Sequence, residues 1–327
     1  MLERLRGLVS WAPVVGLVPR PRPAREGISA IVRVRGEEEW IAPSLASIAD
    51  FADEILVLDN GASAHARSAI ERARHAAPDR VRVEAGAALD IFALSNRALD
   101  LARCRWVMRW DADFVAHTSG RGDILGLRRF LLGLDPRRYH LVYVPAAEVA
   151  GDLRHQFPDR RIRIDGQAHT ASPAARFVRV ERAIARGGRL DTADAIDRDD
   201  RPVRFALESL RVPKYYGIVR WPAVAYFHVH VKSARHMLLR HFWLEWLADG
   251  APSQTLEAYT RDAVRRRWGA TDLDAAAAGF MARHCARLVP VDERVTGPHP
   301  ALLQPYLDRP RYDVRYLDGA IVGRDEC

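Results

Sequence analysis

Cysteine is scarce in this chain: Cys104, Cys285 and Cys327 are its three among 327 residues, far apart and without a CxxC pair. That spacing excludes a disulfide framework and fits a reducing compartment. Long apolar runs are missing too. None approaches the roughly 18 residues of a membrane-spanning helix, so a cytoplasmic protein, soluble or peripheral, is expected. The apolar stretch from Val9 to Val18 is broken by Pro13 and followed by Arg20-Pro21-Arg22-Pro23, which suits a signal peptide poorly.

What is present is ordinary in amount and uneven in sign. A hydrophobic fraction of 48% over this length fits one large α/β domain with an extension. The formal charge of +8 and a pI near 9.8 raise the question of nucleic acid. The arginines, however, are interspersed with Asp and Glu and no recognition motif accompanies them, so no nucleic-acid partner is expected. A nucleotide diphosphate or an anionic headgroup accounts for the charge as economically. At the start, Leu2, Leu5, Leu8 and Val9 form an apolar stripe flanked by Arg4 and Arg6, which predicts a short helix over residues 1–11 suited to the surface of an anionic leaflet.

Beyond the Pro/Arg-rich linker at 19–25 the pattern alternates. Residues 28–34 have the β-branched composition of a strand, 37–51 the spacing of a helix, and Glu54-Ile-Leu-Val-Leu-Asp59 the continuous apolar run of a buried parallel strand closed by a carboxylate. A helix over 65–76, a strand over 81–83, a helix over 91–103 and a strand over 106–110 follow. Such βαβ units predict a Rossmann-like, mostly parallel sheet whose ligands bind beyond the strand C-termini, where Asp59, Asp111 and Asp113 all fall. Strands are expected again at 141–144, 176–180 and 226–231, with helices at 233–248 and near 254–268. The division expected is an N-terminal segment 1–26, a catalytic domain 27–247 and an extension 248–327.

Two carboxylates one residue apart at a strand end project to one side, so Asp111-Ala112-Asp113 can approach one divalent cation. A nucleotide diphosphate uses that cation to neutralise charge as its sugar departs. In order along the chain stand Val32-Arg-Val-Arg-Gly-Glu-Glu-Glu-Trp40, Asp53-Glu-Ile-Leu-Val-Leu-Asp-Asn-Gly-Ala-Ser63, Ser95-Asn-Arg-Ala-Leu99 and Trp110-Asp-Ala-Asp-Phe114. Over residues 28–115 this order resembles the family 2 glycosyltransferases of GT-A fold. It departs from them at Gly36, where Asn is frequent, and at Ala64, where many relatives carry an acid.

The resemblance implies an inverting, nucleotide-sugar-dependent enzyme acting on a glycan, lipid-linked or other small acceptor, as in cell-envelope polysaccharide assembly, with Mn²⁺ or Mg²⁺ as cofactor. It also implies the roles of the matching residues. Arg35 and Glu37 line the nucleotide pocket, Asp59 meets base or ribose, Asn96 lies at the substrate, Asp111 serves ribose or metal, and Asp113 ligates the metal. His228-Val-His230-Val-Lys232 adds a second cluster. On a strand these three alternate residues share one face, so His228 and His230 are candidate metal ligands and Lys232 a diphosphate contact. Inversion needs a general base. Glu208 is the choice, with Asp191 next and Asp194 and Asp165 open. Two other functions compete. A sugar-nucleotide pyrophosphorylase would need a Gly-rich phosphate loop where Val34-Arg-Gly-Glu-Glu38 stands, and a non-enzymatic basic glycan- or nucleic-acid-binding protein would leave the strand-end carboxylates without a purpose.

Overall fold

The strand expected at residues 28–34 extends further at both ends in the computed structural model, where β1 (Arg25–Gly36) lies between β2 (Glu54–Ala62) and β4 (Cys104–Arg109), parallel to both. The structure describes residues 7–21, 24–36, 39–86, 90–158, 162–183, 204–248, 253–307, 312–317 and 320–326. By contacts the chain divides into two compact units. The first is drawn from Met1–Phe177, Leu210–His230 and Val289–Arg309, the second from Val178–Ser209, Val231–Leu288 and Pro310–Cys327.

In the first unit β3 (Val81–Ala85) completes the order β3-β2-β1-β4, every neighbour parallel. Helices α1 (Ile41–Ser47), α2 (Ala64–Ala76) and α3 (Ile91–Leu101) cross between these strands. The apolar runs are continuous because both faces of the sheet are covered. Ile28, Ala30, Val32 and Val34 face Ile41, Leu45, Ala66 and Ile70 in one core cluster, while Ile31, Leu56 and Leu58 face Leu94 and Ala98 in another. Each fully buried large aliphatic side chain contributes about 1.5–3 kcal/mol. The helix starts are fixed locally: the Ser63 side chain accepts from the Ala66 amide, and that of Asp90 from the Phe92 and Ala93 amides. Helix α1 is shorter than its spacing predicts, with turns at 39–40 and 48–51.

After β4 come β5 (Phe114–Ala116), α4 (Ile124–Gly133), β6 (His140–Ala150), β7 (His155–Gln156) and β8 (Ile162–Thr170). Strands β9 (Arg176–Ala183) and β10 (Arg204–Arg211) pair in a small sheet of their own, and β11 (Gly217–Arg220) and β12 (Tyr226–His230) follow. The main sheet continues β4-β8-β6-β12-β5, with β11 also on β6. Pairs β4–β8, β6–β8 and β12–β5 are antiparallel, while β6 is parallel to β11 and β12. The sheet is therefore mostly parallel, with β8 and β5 reversing direction. The later segment β13 (Val289–Pro290) pairs with β7.

The second unit includes a helical C-terminal region of α5 (Ala234–Ala248), α6 (Leu256–Trp268) and α7 (Leu273–Cys285), followed by the hairpin β14 (Tyr312–Leu317) and β15 (Ala320–Glu326). Leu238 and Phe242, Tyr259 and Val264, and Leu273, Ala276 and Ala277 bring the three helices into one core. The small side chains of Ala276 and Ala277 thus let α7 approach its neighbours closely. Among the described residues no helix is long and apolar enough to cross a membrane.

Candidate functional site

The C-terminal edge of β1, β2 and β4 gathers the carboxylates that the sequence pattern placed there. Asp59 lies in β2 three residues before its end, and its Oδ1 accepts from the Gly61 and Ala62 amides at 3.0 and 2.7 Å while Oδ2 meets Arg67 Nε at 3.1 Å. Burial alone would raise the Asp59 carboxyl; the Ala62 and Arg67 hydrogen bonds outweigh it and hold the group below the usual carboxylate range. Across the β1–β2 pair, Gly36 adopts φ +80°, a left-handed conformation that Gly and Asn tolerate and β-branched residues do not. Gly at this position therefore suits the backbone that the turn adopts.

Asp111 is gripped from two strands. Arg33 Nη2 on β1 lies 3.1 Å from Oδ1, Arg109 Nη2 on β4 lies 3.5 Å from Oδ2, and Arg33 Nη1 donates to Ser95 on α3 at 2.6 Å. Burial would raise its carboxyl, and the Arg109 and Arg33 charges bring it below the ordinary value. Its backbone is held as well: Trp110 Nε1 donates to the Ser44 hydroxyl at 3.0 Å, and that hydroxyl donates to the Asp111 carbonyl at 3.3 Å.

The structure brings Asp113, His228 and His230 together, with one ligand atom from each lying within 4.8 Å of the others. Asp113 and His228 are buried, and His228 Nε2 stands 3.5 Å from Asp113 Oδ1. The two imidazole centroids are 3.9 Å apart. The antiparallel β5–β12 pair sets this up, since His228 is opposite Phe114 and the Val229 amide donates to the Asp113 carbonyl at 2.8 Å. Beneath lies an aromatic bed in which Phe114 packs on Tyr226 at 4.5 Å and on His228 at 4.7 Å, with Trp110 5.0 Å from Tyr226. On the other side of β12, Glu148 of β6 is opposite His228 and is paired with Arg163. One carboxylate with two imidazoles is a donor set for a divalent transition metal, and it leans from the all-oxygen shell that Mg²⁺ prefers.

Residues 29–120 match the family described as Glycosyl transferase family 2. The match covers β1 to β5, so the segment carrying Asp59, Asp111 and Asp113 is a glycosyltransferase domain, that of an enzyme. No curated protein matches the chain. Among solved structures, S. aureus TarS 1–349 in complex with UDP-GlcNAc is 16% identical over 91% of this chain and 97% of that one, with a TM-score of 0.36. Glucosyl-3-phosphoglycerate synthase from Mycobacterium tuberculosis, in complex with Mn²⁺, UDP and glucosyl-3-phosphoglycerate, is 20% identical over 45% of this chain and 49% of that one, at 0.27. A mycobacterial protein is 20% identical over 45% of each chain, at 0.29. The matches to the two mycobacterial proteins thus span less than half of their lengths, and likenesses this shallow carry no argument about donor or acceptor.

The other residues expected at this site have varied placements. Arg35 is exposed at the end of β1. Asn96 holds Phe177: its side-chain amide donates to the Phe177 carbonyl and accepts from the Phe177 amide, both at 2.9 Å. Lys232 is buried but lies beyond the end of β12, so the shared-face argument stops at His230. Glu208 is on strand β10, and Asp165 on β8. Glu37, Asp191 and Asp194 lie outside the described residues. Sequence reasoning missed Arg33, Arg109 and Glu148. The first two had a signal, a charged residue inside an otherwise apolar buried strand, which persists only when paired.

Proposed function

We propose that the whole chain transfers a sugar from a nucleotide-diphosphate donor to a glycan, lipid-linked or other small acceptor, with inversion and with Mn²⁺ in preference to Mg²⁺. The observation that carries this reading is the convergence of Asp113, His228 and His230 at the edge where the matched segment ends. The metal, when bound by these three, would supply positive charge to the diphosphate as the glycosidic bond to it breaks. Asp59, with Arg35 and Glu37 at the neighbouring strand end, is proposed to recognise the nucleoside. Asp111, steadied by Arg33 and Arg109, is proposed to accept from the ribose. Lys232 is assigned to the diphosphate.

In the transfer step the acceptor oxygen bonds to the anomeric carbon, the carbon–oxygen bond to the diphosphate breaks, and the acceptor's proton passes to a carboxylate. Glu208 is proposed as that base, with Asp191 next. A panel of nucleotide sugars assayed with Mn²⁺ tests the function: one donor giving hydrolysis or transfer that EDTA abolishes supports it, and silence across the panel with no thermal stabilisation by any nucleotide diphosphate refutes it. With the donor known, Glu208→Gln should keep donor affinity while losing transfer by about 100-fold or more.

A further inference from the structure

Ten large hydrophobic side chains are exposed among the described residues, and five of them, Leu8, Val9, Trp11, Val15 and Leu17, fall within one ten-residue segment. Leu8, Val15 and Leu17 are 73%, 66% and 78% exposed, an arrangement that costs solubility unless something covers it. The segment is built, not frayed. Its amides are satisfied internally, Trp11 donating to Leu8, Ala12 to Val9, Val15 to Trp11 and Leu17 to Ala12 at 2.9–3.2 Å. It is also pinned. Ser10 is fully buried, its hydroxyl donates to the Gly7 carbonyl at 2.7 Å and accepts from Arg138 Nη2, and the Arg138 guanidinium lies 4.6 Å from the centre of the Trp11 ring. A Cβ on Gly217 would stand 3.5 Å from that of Ser10, so the segment sits where β6 and β11 begin.

Charge indicates the occupant. From residue 4 to residue 25 the sequence carries Arg4, Arg6, Arg20, Arg22 and Arg25 and no Asp or Glu. An apolar segment whose only charged neighbours in sequence between Glu3 and Glu26 are arginines is complementary to an interface that is apolar inside and anionic at its surface. We propose that residues 7–18 dock the protein onto a bilayer containing anionic phospholipid, with Leu8, Val15 and Leu17 entering the headgroup–acyl boundary. The patch differs from the stripe expected over residues 1–11, because it runs on to Leu17 past Pro13.

The test is independent of donor chemistry. Full-length protein is sedimented with vesicles of phosphatidylglycerol and phosphatidylethanolamine and, separately, of phosphatidylcholine alone. Preferential partition onto the anionic vesicles is expected. The triple variant Leu8→Ser, Val15→Ser, Leu17→Ser should lower that partition by about tenfold or more at unchanged melting temperature, since each side chain removed gives up apolar burial. Leu17→Ser alone should produce a smaller loss in the same direction, and it keeps the test valid if the triple variant folds poorly. Equal partition of wild type and Leu17→Ser, no partition by wild type, or a wild-type dimer in light scattering that the variant converts to monomer would each overturn the proposal.

Discussion

Both halves of the main sheet end in carboxylates at the same edge, but their surroundings differ in kind. In the half built from β1 to β4, Asp59 and Asp111 meet arginines, Arg67 for the one and Arg33 with Arg109 for the other. In the half that begins at β5, Asp113 meets the imidazoles of His228 and His230. Guanidinium groups fix a carboxylate as a permanently charged, oriented acceptor. Imidazoles are ligands in their own right and can join the carboxylate around a cation. Two acids one residue apart thereby sit in different surroundings, which supports the separate roles proposed for them.

The sharpest way to break this comparison is at Asp113. Its replacement by alanine should reduce Mn²⁺-dependent affinity for a nucleoside diphosphate by about 100-fold or more, read by calorimetry with and without metal, on the scale of a lost charge-stabilising contact. Undiminished affinity would place the metal elsewhere. His230→Ala should lower metal-dependent turnover by about 10- to 100-fold, with a melting temperature close to wild type because the side chain is only half-buried.

Acid should loosen the second half before the first. His117, His140 and His169 all belong to the part that begins at β5, are buried, and are pushed by desolvation down to about 4 from an ordinary 6.5. Their neutral forms stabilise the fold above about pH 6.5, and that contribution is lost as pH falls from there towards 4. His65 and His75, in α2, are exposed. Hydrogen exchange at pH 7 and pH 5 should show β6 and β8 losing protection while β1 and β2 keep theirs; uniform loss would contradict the difference. The smallest functional effect is expected at Asn96. Removing both hydrogen bonds to Phe177 with Asn96→Ala should cost about 2 kcal/mol in denaturant unfolding and change nucleotide affinity by less than about twofold. A tenfold loss of affinity would instead place Asn96 at the substrate.

The first half was legible in the sequence because parallel strands covered on both faces leave continuous apolar runs, as Glu54-Ile-Leu-Val-Leu-Asp59 does. Asp59, Asp111 and Asp113 followed from their positions at strand ends. The second half was harder. Strand β8 contains Asp165, Gly166, Gln167 and His169, a composition with no strand periodicity, and it exists because β4 and β6 both offer it an edge. Helix α4 went unassigned although Asp123 caps it, since the Gly-rich run before it reads as an open loop. The meeting of Asp113 with the histidine strand depends on a three-residue β5, a tertiary pairing that no local pattern signals.

One strand also sets a length. Strand β6 begins beside Arg138, which holds the apolar tip, and ends at Ala150, opposite His230 in the β12 register. Eleven residues at about 3.3 Å each make a strut of roughly 35 Å. On the proposal that the tip rests on lipid, the end of β6 beside His230 lies a strand's length away from the tip and not next to it.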